Sequence, residues 1–234
     1  MSTLDPTIAQ GPISVGYEPS SRRPIADLLR VTAHRAVRFC VRRHVHPDTI
    51  SYSSIVASAL AAVCFWQAAD SALLLLVAPA LCYLRLWLNM LDGMVALASR
   101  EASPRGEILN DLPDRISDVL VFAGVAHSGL VTPYAAYWAA IFALLTAYVG
   151  TLGQAVGVQR EFSGLMSKPW RMVALHAGAW ATAAAGVQSL GGLTLLDWTC
   201  LVIVAGCVQT IVVRLQRILC AIDAKRLPVS GGER

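Results

Sequence analysis

Runs of about 20 apolar residues recur along this chain, and a run of that length is what a helix needs to cross the hydrocarbon core of a bilayer. They lie over Ser53–Ala69, Ala72–Leu97, Leu109–Leu130, Tyr134–Val156, Met172–Leu190 and Leu195–Val213. In lipid, every backbone N–H and C=O has to be satisfied within the protein, so such runs fold as helices. The expected fold class is therefore all-α, a polytopic integral membrane protein with six transmembrane helices. With 56% hydrophobic residues, 15% charged residues and a mean hydropathy of +0.56, the composition excludes an ordinary soluble domain.

Basic residues flank these runs unevenly. Arg22, Arg23, Arg30, Arg35, Arg38, Arg42 and Arg43 precede the first run, and Arg100 and Arg105 separate the second from the third. Arg160, Lys168 and Arg171 lie between the fourth and fifth, and Arg214, Arg217, Lys225 and Arg226 follow the sixth. The connections near Asp70, Val131 and Gly191 carry no Lys or Arg. Cytoplasmic loops hold the excess of basic residues, so both termini are expected in the cytoplasm, which for a bacterial chain means the inner face of the cytoplasmic membrane. The same bias and contact with anionic membrane lipid explain the net charge of +4 without a nucleic-acid partner.

Residues 1–24 lack an apolar core and contain Gly11, Pro12, Pro19 and Pro24, which reads as a disordered cytoplasmic tail rather than a signal peptide. From Ile25 to His44, Leu28, Leu29, Val37, Phe39 and Val41 alternate with arginines, the pattern of an amphipathic juxtamembrane helix on the cytoplasmic surface. The expected organisation is a tail over 1–24, one membrane domain over 25–222 and a short tail over 223–234. Cys40, Cys64, Cys82, Cys200, Cys207 and Cys220 are scattered singly and read as small packing residues. Trp66, Trp170 and Trp198 fall near the ends of runs, as an interfacial belt requires, and His127 and His176 read as buried, hydrogen-bonded structural residues.

The polar exception lies between Leu88 and Leu120. An ionisable residue at bilayer depth costs roughly 2.5 to 3.5 kcal/mol, so a cluster of them must face a polar cavity. Asn89, Asp92 and Ala96 share one face near the cytoplasmic end of the second helix. After a turn at Ser103, Pro104 and Gly106, the third helix opens with Glu107, Asn110, Asp111, Asp114 and Asp118, of which Asn110, Asp114 and Asp118 repeat every four residues. Two helices joined so closely are expected to be antiparallel neighbours whose polar faces meet. A cup of oxygen ligands suits a hard divalent cation such as Mg2+, which also partners phosphates, and Gly93 permits close approach of a backbone or ligand. Helix capping and solvation of a cytoplasmic loop account for some members of the set, Asp111 and Glu101 first.

The stretch resembles the signature of the CDP-alcohol phosphotransferases, D-x2-D-G-x2-A-R-x8-G-x3-D-x3-D. Here the frame reads Asn89-x2-Asp92-Gly93-x2-Ala96-Leu97-x8-Gly106-x3-Asn110-x3-Asp114, with every interval kept. Asn stands for the first and third Asp, and Leu97 for the Arg. Pro47-Asp48-Thr49-Ile50-Ser51 before the first run is similar to the Pro-Asn-x-x-Thr of the family.

The resemblance implies transfer of the phosphatidyl group of a CDP-alcohol, CDP-diacylglycerol before others, to an acceptor hydroxyl with release of CMP, as in phospholipid biosynthesis. It also implies two Mg2+ or Mn2+ ions and a homodimer. On this basis Asp92, Asn89, Asn110 and Asp114 occupy metal-ligand positions, Asp114 is the general base, and Asn89, Gly93, Ala96, Pro47 and Ser51 border the nucleotide. Because two Asn remove two negative charges, Asp111 and Asp118 are expected to join the metal set and re-form the cup slightly deeper. Arg160, Lys168 and Arg171 resemble the family's basic stretch before the fifth helix, where an acceptor alcohol or phospho-alcohol binds, and a positive-inside loop would read the same way. Arg85, one turn before Asn89, pairs with Asp118 or meets a substrate phosphate. A catalytically inactive relative that binds lipid or nucleotide, or a scaffold, is the alternative; a transporter would carry polar faces through the bilayer on several helices.

Overall fold

The computed structural model describes residues 35–99 and 104–226. The expected tail over 1–24, the first half of the expected surface helix, the turn at Ser103 and residues 227–234 lie outside the described residues, as do the side chains of residues 104–107, 109 and 110.

Among the described residues six long helices follow one another as α1 (Pro47–Trp66), α2 (Leu74–Ala98), α3 (Pro104–Ala126), α4 (Pro133–Ala155), α5 (Lys168–Ala185) and α6 (Leu195–Arg226). By length and composition α1, α2, α4 and α6 are each able to cross a membrane. α3 and α5 are too polar for that criterion, because Asp111, Asp114, Arg115 and Asp118 crowd the first half of α3 and Lys168, Arg171 and His176 that of α5. α6 runs well past the expected end at Val213, so Arg214 and Arg217 belong to the helix and not to a flanking loop. α5 stops at Ala185 rather than Leu190, before Gly186. Beyond it, β1 (Ser189–Leu190) and β2 (Leu193–Thr194) pair antiparallel, with Ser189 opposite Thr194 and Leu190 opposite Leu193. Their two-residue turn needs positive φ at both positions, and Gly191 (64°) and Gly192 (80°) supply it.

The helices form a closed cycle of packed neighbours in the order α1, α3, α4, α6, α5, α2 and back to α1. The expectation that α2 and α3 pack along each other is thereby corrected. α1 packs along both of them, and α2 and α3 touch little. Small residues explain the preference: Ser54, Ala57, Ser58 and Ala61 form the buried stripe of α1, and a Cβ on Gly124 of α3 would collide with the backbone of Ala62. The apolar interior, with Phe65, Phe122, Leu175 and Ile203, fills the half of the cycle away from the motif.

Helical backbone over residues 35–42 matches the second half of the expected surface helix. Its Val37 and Cys40 are buried with Ile50, Leu91 and Val95, so it packs over the motif end of α2, while Phe39 stays exposed. Trp66, Trp170 and Trp198 are exposed near helix ends. The histidines depart from expectation. His127 is exposed and bonds the Tyr137 hydroxyl at 2.7 Å, whereas His176 is buried with neither ring nitrogen bonded, its ring edge-on to Tyr83 with centroids 4.5 Å apart. Cys40, Cys82, Cys200 and Cys207 are buried as packing residues; Cys220 is exposed.

Candidate active site

α1 begins at His46, whose ring accepts a hydrogen bond from the Asp48 N–H at 3.3 Å, and Pro47 occupies the first helical turn, where its missing N–H costs nothing. One turn on, Ser51 donates from Oγ to Asp92 Oδ2 at 2.5 Å. The other oxygen of Asp92 accepts the backbone N–H of Gly93 at 2.6 Å, and the residue is only 2% exposed. The Ser51–Asp92 hydrogen bond thus links the stretch around Pro47 to the signature, α1 to α2. Ala96 lies half-buried one turn beyond Asp92, whereas Leu97, at the position of the signature Arg, is 61% exposed on the outer surface.

Asn89 sits one turn before Asp92, and its amide donates to Asp114 Oδ1 on α3. Its own Oδ1 is buried and accepts no hydrogen bond. Asp114 Oδ2 pairs with the Lys168 ammonium at the start of α5. Arg85 is buried on α2 and donates to the main-chain oxygen of Asp114 at 2.9 Å and to Asp118 Oδ1 at 3.0 Å, with Asp114 Oδ1 at 3.4 Å. The expected pairing of Arg85 with Asp118 is present. Asp118 is fully buried, and its second oxygen takes Arg171 at 3.1 Å. Asp111 Oδ1 takes Arg115 at 3.0 Å and Arg160 at 2.7 Å. The two carboxylates expected to deepen a metal cup therefore each engage two guanidinium groups. Asn110 lies on α3 with its side chain outside the described set.

A cavity of about 300 Å³ opens beside Asp114, lined by Asp111, Arg115, Arg160, Phe162, Ser167, Lys168, Arg171 and Arg214 among others. All three basic residues expected to bind an acceptor line it, and each is tied to a different carboxylate of α3: Arg160 to Asp111, Lys168 to Asp114 and Arg171 to Asp118. Five cationic side chains face two carboxylates there, and Nε of Arg115 and of Arg171 is buried without an acceptor. Such a cavity attracts an anion. In the loop that carries Arg160, burial would raise the Glu161 carboxyl, but the Ser163 N–H at 2.9 Å and Arg217 hold it below the ordinary carboxylate range.

Arg214 is the residue that reading by charge bias misassigns. It is 6% exposed and donates to the carbonyl oxygens of Thr146 (2.7 Å), Ser163 (2.9 Å) and Phe162 (3.3 Å), joining α6 to α4 and to the loop over the cavity. A signal for it exists in the spacing of Leu196, Cys200, Ile203, Cys207, Thr210, Arg214 and Ile218, a buried stripe that continues unbroken past Val213.

Among the described residues no three acidic, His or Cys side chains converge on one point as a metal site. What does fit a hard cation is the oxygen set on the motif side of Asp114: the carboxylate of Asp92 and the unpartnered Oδ1 of Asn89.

No family model matches the chain. Over 139 residues it is 32% identical to the archaetidylinositol phosphate synthase of Aeropyrum pernix, covering 59% of this chain and 69% of that protein. The chain belongs to the CDP-alcohol phosphotransferase family. A second relative, inner membrane protein YnbA of Escherichia coli K12, is 29% identical over 144 residues, 62% of this chain and 70% of its own. Among solved structures, Mycobacterium tuberculosis phosphatidylinositol phosphate synthase with CDP-DAG bound superposes with a TM-score of 0.69 at 20% identity, over 88% of this chain and 98% of that one. The same enzyme in complex with manganese and citrate gives 0.69 at 20% identity, over 86% and 96%. At that identity the likeness speaks for a shared fold; the apolar helices, in a chain related to an inner membrane protein, make this member of the family an integral membrane protein.

Proposed function

We propose that this chain transfers the phosphatidyl group of a CDP-alcohol, CDP-diacylglycerol before others, to the hydroxyl of a small acceptor that carries an anionic group such as phosphate. The observation that carries the reading is the place of Asp114: Asn89 of the signature bonds one of its oxygens, and Lys168 of the basic cavity the other. A base for this reaction has to stand between donor and acceptor, and the contact of Asp114 with both the signature and the basic cavity supports giving it that role.

In the proposed reaction the acceptor hydroxyl loses its proton to Asp114 and its oxygen bonds to the phosphorus that carries the diacylglycerol. The bond from that phosphorus to CMP breaks, and CMP leaves with the electron pair. Arg160, Lys168 and Arg171, with Arg115 and Arg214, hold the anionic part of the acceptor, while Ser51, Gly93 and Ala96 border the nucleotide. Asp92 and Asn89 would hold a divalent ion, Mg2+ or Mn2+, which when bound neutralises the pyrophosphate and the leaving group. Hydrogen-bonded positioning and charge neutralisation are the main protein contributions to phosphoryl transfer, and these residues supply them.

The six helices all span the membrane in this reading, with both termini and the site at the cytoplasmic face, the 35–42 segment lying along it and the chain forming a homodimer. A lipid tail then stays in the bilayer while the nucleotide stays wet. The charges collect at one end of the bundle, on the motif ends of α2, α3 and α5, which favours a transferase over a transporter.

The deciding experiment follows CMP release from CDP-diacylglycerol by the purified chain in detergent, with Mg2+ or Mn2+ and a panel of phosphorylated and neutral alcohols. The expected result is metal-dependent release accelerated by a phosphorylated acceptor, and reduced on the order of a hundredfold or more in Asp114→Asn. Folded protein that releases no CMP from CDP-diacylglycerol or from soluble CDP-alcohols would replace this reading by that of a non-catalytic, lipid- or nucleotide-binding relative.

A further inference from the structure

The helical segment over 35–42 has two unlike faces. Val37 and Cys40 are buried in one cluster with Ile50, Leu91 and Val95, so the segment rests on the chain neighbours of both partners in the Ser51–Asp92 hydrogen bond. The opposite face carries Arg35, Arg38, Phe39 and Arg42, which line a shallow depression of about 210 Å³, and the Arg43 guanidinium lies over the Phe39 ring at 5.8 Å. The ring itself is 60% exposed. Four arginines and no Asp or Glu fall within residues 35–47. The proposed transfer uses none of these side chains.

Charge and place together select the partner of this face. Guanidinium groups beside a large apolar ring match the headgroup layer of a bilayer, where phosphates meet the first carbons of the acyl chains. Only four residues, 43–46, separate the segment from Pro47 at the start of α1, a helix able to cross a membrane. The chain's own residues 1–34 are a poorer match in charge, since Asp5, Glu18 and Asp27 are offset there by Arg22, Arg23 and Arg30. A soluble anion would satisfy the guanidinium groups but leave the Phe39 ring in water.

We propose that anionic phospholipid headgroups bind this face, and that their binding holds the segment against α1 and α2 and so steadies Ser51 and Asp92. Membrane charge thereby regulates the site from outside it. The binding is read from packing and charge alone, and its effect on turnover rests on the transferase reading.

The test places the full-length chain in nanodiscs of phosphatidylcholine, alone or mixed with phosphatidylglycerol, and follows hydrogen–deuterium exchange over 35–46 and 88–96. The native sequence is compared with the double variant Arg35→Gln, Arg42→Gln. In the native chain phosphatidylglycerol is expected to slow exchange over 35–46 about fivefold or more, and to slow it over 88–96 in the same direction. High NaCl should remove this protection, and the double variant should never gain it. Equal exchange of the native chain in the two lipids would overturn the proposal, and if it is slow in both, residues 1–34 become the occupant. Protection that the double variant keeps would also overturn it. The same protection from glycerol phosphate added to phosphatidylcholine discs would replace the lipid by a soluble anion. CMP release in the same discs tells the two readings apart. Protection without CMP release in either lipid would sink the transferase reading and leave the binding, whereas release that is equal in the two lipids despite protection would overturn the regulation. Enrichment of Mg2+ at an anionic surface would raise release in the double variant as well, while the proposal expects the rise in the native chain alone.

Discussion

Asn89 does something an aspartate at its position could not: it donates a hydrogen bond to Asp114, where a second carboxylate would be repelled unless a cation lay between them. The amide so joins the two motif helices. Asp118 is the counterpart on the other side of Asp114, a fully buried carboxylate held by two guanidinium groups. Removing one partner of a buried ion pair leaves an uncompensated charge, at a cost of about 3–5 kcal/mol. Asp118→Asn is therefore expected to lower the unfolding temperature in detergent by several degrees and to leave Mn2+ affinity within twofold of native. A large loss of affinity with an unchanged unfolding temperature would make Asp118 a ligand. Arg214→Met removes three charge-assisted hydrogen bonds to carbonyl groups and one positive charge from the cavity. The expected outcome is a rise in acceptor KM on the order of tenfold or more, with a smaller change in kcat, measured by CMP release at varied acceptor concentration.

At the scale of elements, the site depends on α1 as much as on the helices that carry the signature. α1 packs between α2 and α3, bonds Asp92 through Ser51, and approaches α3 closely enough at Ala62 that only a glycine fits at 124. Gly124→Val would force the two helices apart against a backbone that cannot yield. The expected loss is about 1–3 kcal/mol of stability, read as a lower unfolding temperature in detergent, and an unchanged temperature would show that α1 and α3 have room to separate. The same logic holds between α5 and α6, where a Cβ on Gly178 would meet the Thr199 side chain. α3 and α5 carry charge in their first halves because those halves face the cavity and one another. Arg171 on α5 and Asp118 on α3 are both buried, each in the presence of the other.

The whole molecule places its charge at one end. Lys168, Arg171 and the acidic residues of α3 meet the motif end of α2, and the apolar interior fills the rest of the cycle. With that end on the cytoplasmic face, Cys220, exposed on the last turns of α6, lies on the same side. A membrane-impermeant maleimide is expected to label Cys220 in inverted membrane vesicles and not in right-side-out vesicles, with Cys220→Ser as the control. The reverse pattern would invert the orientation derived from the arginines and lysines.

The sequence by itself determined where the long helices lie and the residues of the signature, because apolar run length and helical spacing are local properties. Asn89, Asp92 and Ala96 on one face, and Asp114 one turn before Asp118, needed nothing more than the rise of a helix. The family was legible for the same reason, since all but one of its intervals run along a single helix. Only the tertiary structure decided which charges meet. Lys168 on Asp114, Arg171 on Asp118 and Arg214 on the carbonyl of Thr146 join residues far apart in the chain, and such pairs follow from the depth and rotation of each helix against its neighbours. That geometry is set by small residues such as Gly124 and Gly178, whose importance lies in what packs against them. Charge bias along the chain therefore assigned Arg214 to a loop, while packing buried it on α6 beside the cavity.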